Sequence, residues 1–125
     1  MKEIIFTEKA PAAVGPYSQA VKAGGFLWCS GQIALDPASG KLSGNDIKSQ
    51  TEQIMQNISA LLAASQMSFD DVVKTTCFLA DINDFAGFNA VYAKYFTGKP
   101  ARSCVAVAAL PKGALAEVEV IAALK

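Results

Sequence analysis

The run Ala116-Glu117-Val118-Glu119-Val120-Ile121-Ala122-Ala123-Leu124 constrains this chain more than any other, because Glu117 and Glu119 alternate with Val118, Val120 and Ala122. Residues two apart in a strand share a face, so this segment predicts a strand with one apolar face and one face bearing carboxylates. A second strand, from Pro100 to about Ala109, repeats the pattern: Arg102 and Cys104 project together while Ser103, Val105 and Val107 point the other way. Laid side by side, the two strands would offer a fixed cation, a thiol and a carboxylate. Arg102 then has two readings, a ligand for something anionic or an ion pair with Glu117 or Glu119 across the sheet.

The remaining elements follow from spacing and turn chemistry. A short strand around Ile4 to Phe6 precedes the loop Ala10-Pro11-Ala12-Ala13-Val14-Gly15-Pro16. Strands over 17–22 and 26–34 flank Ala23-Gly24-Gly25, whose glycines suit a tight hairpin turn. Asn45 or Asp46 caps a helix with apolar positions Ile47, Ile54, Met55, Ile58, Leu61 and Leu62, ending near Ser65. Ser68 opens a single helical turn, and Val72 to Ala80 reads as a covered strand. Asp84 is the expected cap of a second helix with Phe85, Phe88, Val91, Tyr92, Tyr95 and Phe96 on one stripe, of which Phe85, Phe88, Tyr92 and Phe96 are assigned to the core. The order β-ββ-α-β-α-ββ predicts an α+β sandwich, a mixed six-stranded sheet with two helices on one face.

A length of 125 residues predicts one domain over 1–125. The share of apolar residues is 52% against 18% charged, so a copy of the chain is expected to cover the helix-free face. The 11 basic and 11 acidic residues cancel without any basic cluster, which argues against nucleic acid or an anionic membrane as the primary partner. No segment reaches the roughly 18 apolar residues of a membrane helix, and no apolar signal core stands at the start, so the expected location is cytoplasmic. Cys29, Cys77 and Cys104 lack metal-ligand spacing and are odd in number, which predicts reduced thiols; Cys29 and Cys77 are assigned to packing. With no histidine, acid–base chemistry rests on carboxylates, the backbone, a thiol or bound water.

Taken in order, Ala10-Pro11-Ala12-Ala13-Val14-Gly15-Pro16-Tyr17-Ser18-Gln19-Ala20, Ser30-Gly31-Gln32-Ile33, Val73-Lys74-Thr75-Thr76, Asp84-Phe85, Asn89, Tyr92, Pro100-Ala101-Arg102-Ser103 and Glu117 carry a resemblance over nearly the whole length. The chain resembles the RidA (YjgF) family of reactive imine/enamine deaminases. That resemblance implies a chorismate-mutase-like fold, a homotrimer with sites between subunits, and hydrolysis of 2-aminoacrylate and 2-iminobutanoate to 2-oxo acids and ammonia. It further implies Arg102 as the carboxylate-binding residue, Glu117 at the water, and Tyr17, Ser30, Gly31, Asn89 and Cys104 as pocket residues. Two departures stand out: only Thr97-Gly98-Lys99 separates Phe96 from Pro100, a shorter loop than relatives carry, and Ala106 replaces a common Glu.

The chemistry suits these residue types. A guanidinium takes a carboxylate through two parallel charge-assisted bonds, which lysine cannot match, and a carboxylate can shuttle a water proton to the leaving ammonia. No metal or organic cofactor is required. Cys104 is expected to line the pocket rather than serve as a nucleophile, although an exposed thiol beside Arg102 could still react with oxidants or electrophiles, because a nearby cation favours thiolate. The rival function is a trimeric sensor of 2-oxo acids or similar small carboxylates without turnover, in which Glu117 has no task. A chaperone-like or RNA-cleaving role, implied by some relatives of the family, ranks below both.

Overall fold

β6 (Ala116–Ala123), the strand with the alternating glutamates, runs through the middle of a mixed six-stranded sheet. Its companions are β1 (Glu3–Ile5), β2 (Ala20–Ala23), β3 (Phe26–Cys29), β4 (Val72–Leu79) and β5 (Ala101–Ala106), in the spatial order β1-β2-β3-β6-β4-β5. Every pairing is antiparallel except β4 with β5. The computed structural model describes residues 1–125, and two helices, α1 (Ile47–Ala63) and α2 (Phe85–Tyr95), cover one face of the sheet. This is the α+β architecture that the periodicity predicts. Neither helix is long and apolar enough to cross a membrane.

The covered face is the core. Ile54, Met55, Ile58, Leu61 and Leu62 of α1 and Phe88 of α2 are fully buried, together with Leu27, Leu79 and Val118 of the sheet. Cys29 and Cys77 are buried there as expected, and burial pushes both thiols up to about 12. The opposite face carries Glu117, Glu119 and Ile121 of β6 and the exposed rings and chains of Trp28, Val105 and Ile4.

Several expectations are corrected. β4 lies between β5 and β6, so Arg102 and Glu117 are not on neighbouring strands. They also face opposite ways: Arg102 registers with Thr75 and through it with buried Val120, whereas Glu117 alternates with Val118 and Val120. An intrachain pair between Arg102 and either glutamate is thereby excluded. The strand expected over 17–22 starts only at Ala20, and the one over 26–34 stops at Cys29, leaving Gln32 as a lone bridge to Val118. β5 ends at Ala106 rather than near Ala109. Asp46 caps α1 by accepting from the Ser49 amide at 2.8 Å, but Asp84 makes no capping bond. There the side chain of Asp81 accepts from the Asn83 amide and starts a 3₁₀ turn that runs directly into α2.

Buried amides explain why the expected strands break where they do. Gln19 Oε1 accepts from the Thr7 amide at 2.8 Å while its Nε2 donates to the carbonyls of Thr7 at 3.0 Å and Pro11 at 2.8 Å. Asn57 Nδ2 reaches from α1 to the carbonyls of Ile33 and Leu35, and Gln50 Oε1 accepts from the Leu115 amide just before β6. These side chains satisfy backbone groups that a sheet ladder would otherwise satisfy, and the loops so held carry Tyr17, Gly31 and the approach to Glu117. Gln19→Ala is expected to cost about 2–3 kcal/mol of stability, because several part-buried backbone groups lose their partner together. Urea unfolding would measure it; a loss under about 0.5 kcal/mol would mean that water replaces the amide at no cost.

Candidate functional site

β5 is an edge strand, and its residue Arg102 turns toward α2. Arg102 Nη1 donates to Asn89 Oδ1 at 2.7 Å, and the guanidinium carbon lies 4.7 Å from the centre of the Tyr92 ring and 5.5 Å from that of Phe85. The ion pair of this chain is Lys125 with Asp71 at 3.7 Å, so Arg102 has no carboxylate of its own. A guanidinium has five N–H donors; Asn89 takes one, and no other side chain of this chain takes the rest. Asn89 thus acts on the arginine, a contact that the sequence reading, which placed Asn89 only as a pocket residue, did not foresee.

Cys104 lies one row further along β5, in register with Cys77. Its thiol is raised above the ordinary value because burial outweighs the opposing influence of Arg102. Desolvation wins over the nearby cation here.

Glu117 belongs to the other face. It shares a cleft of about 440 Å³ with Tyr17, Gly31, Gln32, Pro111 and Lys112. Gly31 is needed for space: a Cβ there would overlap Glu117 Oε2 and stand 2.8 Å from its Cδ and 3.1 Å from its Cγ. Burial, followed by the negative charge of Glu119, raises the Glu117 carboxyl above its ordinary value. Tyr17 is 54% exposed at the rim. Ser30 lines an adjoining cleft of about 470 Å³ with Trp28, Lys74, Thr76, Glu119 and Ile121, and its hydroxyl donates to the Ser18 carbonyl at 2.6 Å.

The predicted residues therefore fall into two half-sites on opposite faces of the sheet. Arg102, Asn89 and Cys104 form one; Tyr17, Gly31 and Glu117, with Ser30 beside them, form the other. Sequence reasoning assigned Phe85 and Tyr92 to the core and missed their place beneath Arg102. Phe85 is 37% exposed, and the separation of Phe85, Asn89 and Tyr92 by four and three positions, which puts all three on one helix face, is the signal that could have found them.

The family model for Endoribonuclease L-PSP matches residues 7–124. Arabidopsis thaliana has a chloroplastic protein named Reactive Intermediate Deaminase A that is 50% identical, over 98% of this chain and 66% of that one. A Lactococcus lactis protein named as a candidate regulator, AldR, is 54% identical over 98% of both. The crystal structure of Escherichia coli TdcF with bound serine superposes with a TM-score of 0.93 at 40% identity, over 98% of this chain and 99% of that one. With a family model spanning nearly the whole chain and relatives at this identity, the chain belongs to the Endoribonuclease L-PSP family, the YjgF/RidA family whose motifs its sequence carries.

Proposed function

We propose that this protein hydrolyses small 2-imino acids and their enamine tautomers, 2-iminobutanoate and 2-aminoacrylate, to 2-oxo acids and ammonia. The observation that carries the reading is Arg102, held by Asn89 and lying over the Tyr92 ring with no counter-ion in its own chain, beside a fold whose second half-site offers a carboxylate of raised pKa. Because the half-sites lie on opposite faces of one chain, the working site forms between copies, with Arg102 of one subunit facing Glu117 of the next. A closed homotrimer is the assembly that the family resemblance suggests, and the exposed Trp28, Val105 and Ile4 on the helix-free face support association through that face.

In this reading Arg102 grips the substrate carboxylate, leaving C2 of the iminium open to attack. Water adds to C2 as Glu117 takes one of its protons, and Glu117 returns that proton to the nitrogen of the carbinolamine. The C–N bond then breaks with its electron pair going to nitrogen. The hydroxyl proton leaves through Glu117 to the ammonia, so that iminium plus water becomes 2-oxo acid plus ammonium. The raised pKa of Glu117 suits both directions of transfer near neutral pH.

The test mixes purified protein with a serine/threonine dehydratase and a semicarbazide trap and follows 2-oxo acid release. Wild type should divert the imine from the trap, and Arg102→Ala should lose this activity by about 10²-fold or more, since a charge-assisted bidentate contact disappears. No diversion by wild type sinks the reading for these substrates. The candidate regulator among the relatives favours a second reading, a carboxylate sensor in the same cleft, which predicts 2-oxo acid binding without turnover.

A further inference from the structure

Tyr92 does more than pack. Its ring lies 4.7 Å below the Arg102 guanidinium, and its hydroxyl is 2.8 Å from Oγ1 of Thr75, a residue wholly buried on β4. Phe96 stacks on the same ring at 4.4 Å between centres and 28° between planes, and Phe88 packs at 5.7 Å. The ring is thus fixed at its hydroxyl end by the sheet and along its body by α2 and the residue after it. Asn89 meanwhile occupies Nη1 of the arginine. The guanidinium carbon lies over an electron-rich ring and Nη1 is hydrogen-bonded, which leaves Nε and Nη2, the pair of parallel donors, without a side-chain partner in the chain.

We propose that Tyr92 is a positioning residue for Arg102: its ring, held along its body by Phe88 and Phe96, sets the plane of the guanidinium so that the Nε–Nη2 edge is offered to a small planar carboxylate. This inference rests on the carboxylate-binding role of Arg102 in the proposed function. An aromatic face both attracts the cation and holds it flat, without neutralising it as a carboxylate would. The anion-binding charge is kept available in a half-buried place where an aspartate or glutamate neighbour would consume it.

The contributions of ring and hydroxyl are separable. Tyr92→Phe keeps the ring and removes the bond to Thr75, so it should lower Tm, because buried Thr75 Oγ1 loses that partner. Its affinity for 2-oxobutanoate, measured by isothermal titration, should nevertheless stay within about threefold of wild type, because the cation–π contact remains. Tyr92→Leu keeps an apolar side chain but no π face and should weaken 2-oxobutanoate binding about tenfold. In the dehydratase-coupled assay its loss should appear in KM rather than kcat, since binding and not proton transfer is disturbed. Arg102→Ala serves as reference and should bind no 2-oxobutanoate. Affinity that falls in step with Tm across the two Tyr92 variants overturns the proposal, as does wild-type affinity in Tyr92→Leu while Arg102→Ala has lost binding. Undiminished binding by Arg102→Ala would instead remove the carboxylate site itself, and the role of Tyr92 with it.

Discussion

Glu117→Gln is expected to lower imine hydrolysis by about 10²–10⁴-fold while 2-oxobutanoate affinity stays equal or tightens. The amide keeps the shape of the side chain and can still hydrogen-bond a water, but it cannot take a proton from it. Affinity should not suffer, because removing a negative charge from a site that binds an anion reduces repulsion. Retained turnover with normal pH dependence would rule out Glu117 as the proton carrier. The wild-type pH–rate profile supplies a second readout: because burial and Glu119 raise the Glu117 carboxyl, activity should fall as pH drops through that raised value.

The same shift predicts a stability effect of opposite direction. A carboxyl whose folded pKa lies above its unfolded value contributes stability that is fully present below the unfolded pKa and is lost as pH rises through the folded one. At neutral pH the folded protein therefore carries an ionised Glu117 at a cost. Glu117→Gln should unfold at a higher temperature than wild type near neutral pH, and the difference should vanish in acid. Loss of activity together with gain of stability distinguishes a functional carboxylate from a structural one.

Gly31→Ala should give the second large effect, a loss of about 10²-fold in kcat with little change in Tm. The added Cβ enters space held by the Glu117 carboxyl, 2.8 Å from its Cδ, so the side chain must swing away from its present position. The displaced group is the end of a flexible side chain at the wall of a cleft, so folding tolerates the shift. A proton carrier moved by an ångström does not tolerate it. Unchanged kcat in Gly31→Ala would show that Glu117 works from a different rotamer than the one seen here.

Element types and their order were legible because they depend on short-range periodicity. Glu117 and Glu119 alternating with Val118 and Val120 could sit only on a strand half covered by apolar packing, and Ile54, Ile58 and Leu61 only on one face of a helix. Even the hairpin at Gly24 and Gly25 could be read, since both residues adopt positive φ, at 62° and 84°. Strand ends were not legible. The carbonyls of Thr7, Pro11, Ile33 and Leu35 are satisfied by the side chains of Gln19 and Asn57, partners distant in sequence that no local pattern reveals. Asp84 illustrates the same limit at closer range, because the nearby Asp81 captured the turn first.

By itself the sequence determined which chemical groups the protein possesses: a lone arginine on a strand, a carboxylate with apolar neighbours and no histidine. Alternation also determined which neighbours share a face within each strand, so Arg102 and Cys104 stand together as read. Only the tertiary structure decided that β4 separates β5 from β6, that Arg102 and Glu117 look out from opposite faces, and that the ring of Tyr92 lies beneath the cation. The physical reason is that periodicity reports the direction of a side chain relative to its own strand. Strand order and facing are set by which long-range pairings bury the shared core, and those pairings join residues that the chain holds far apart.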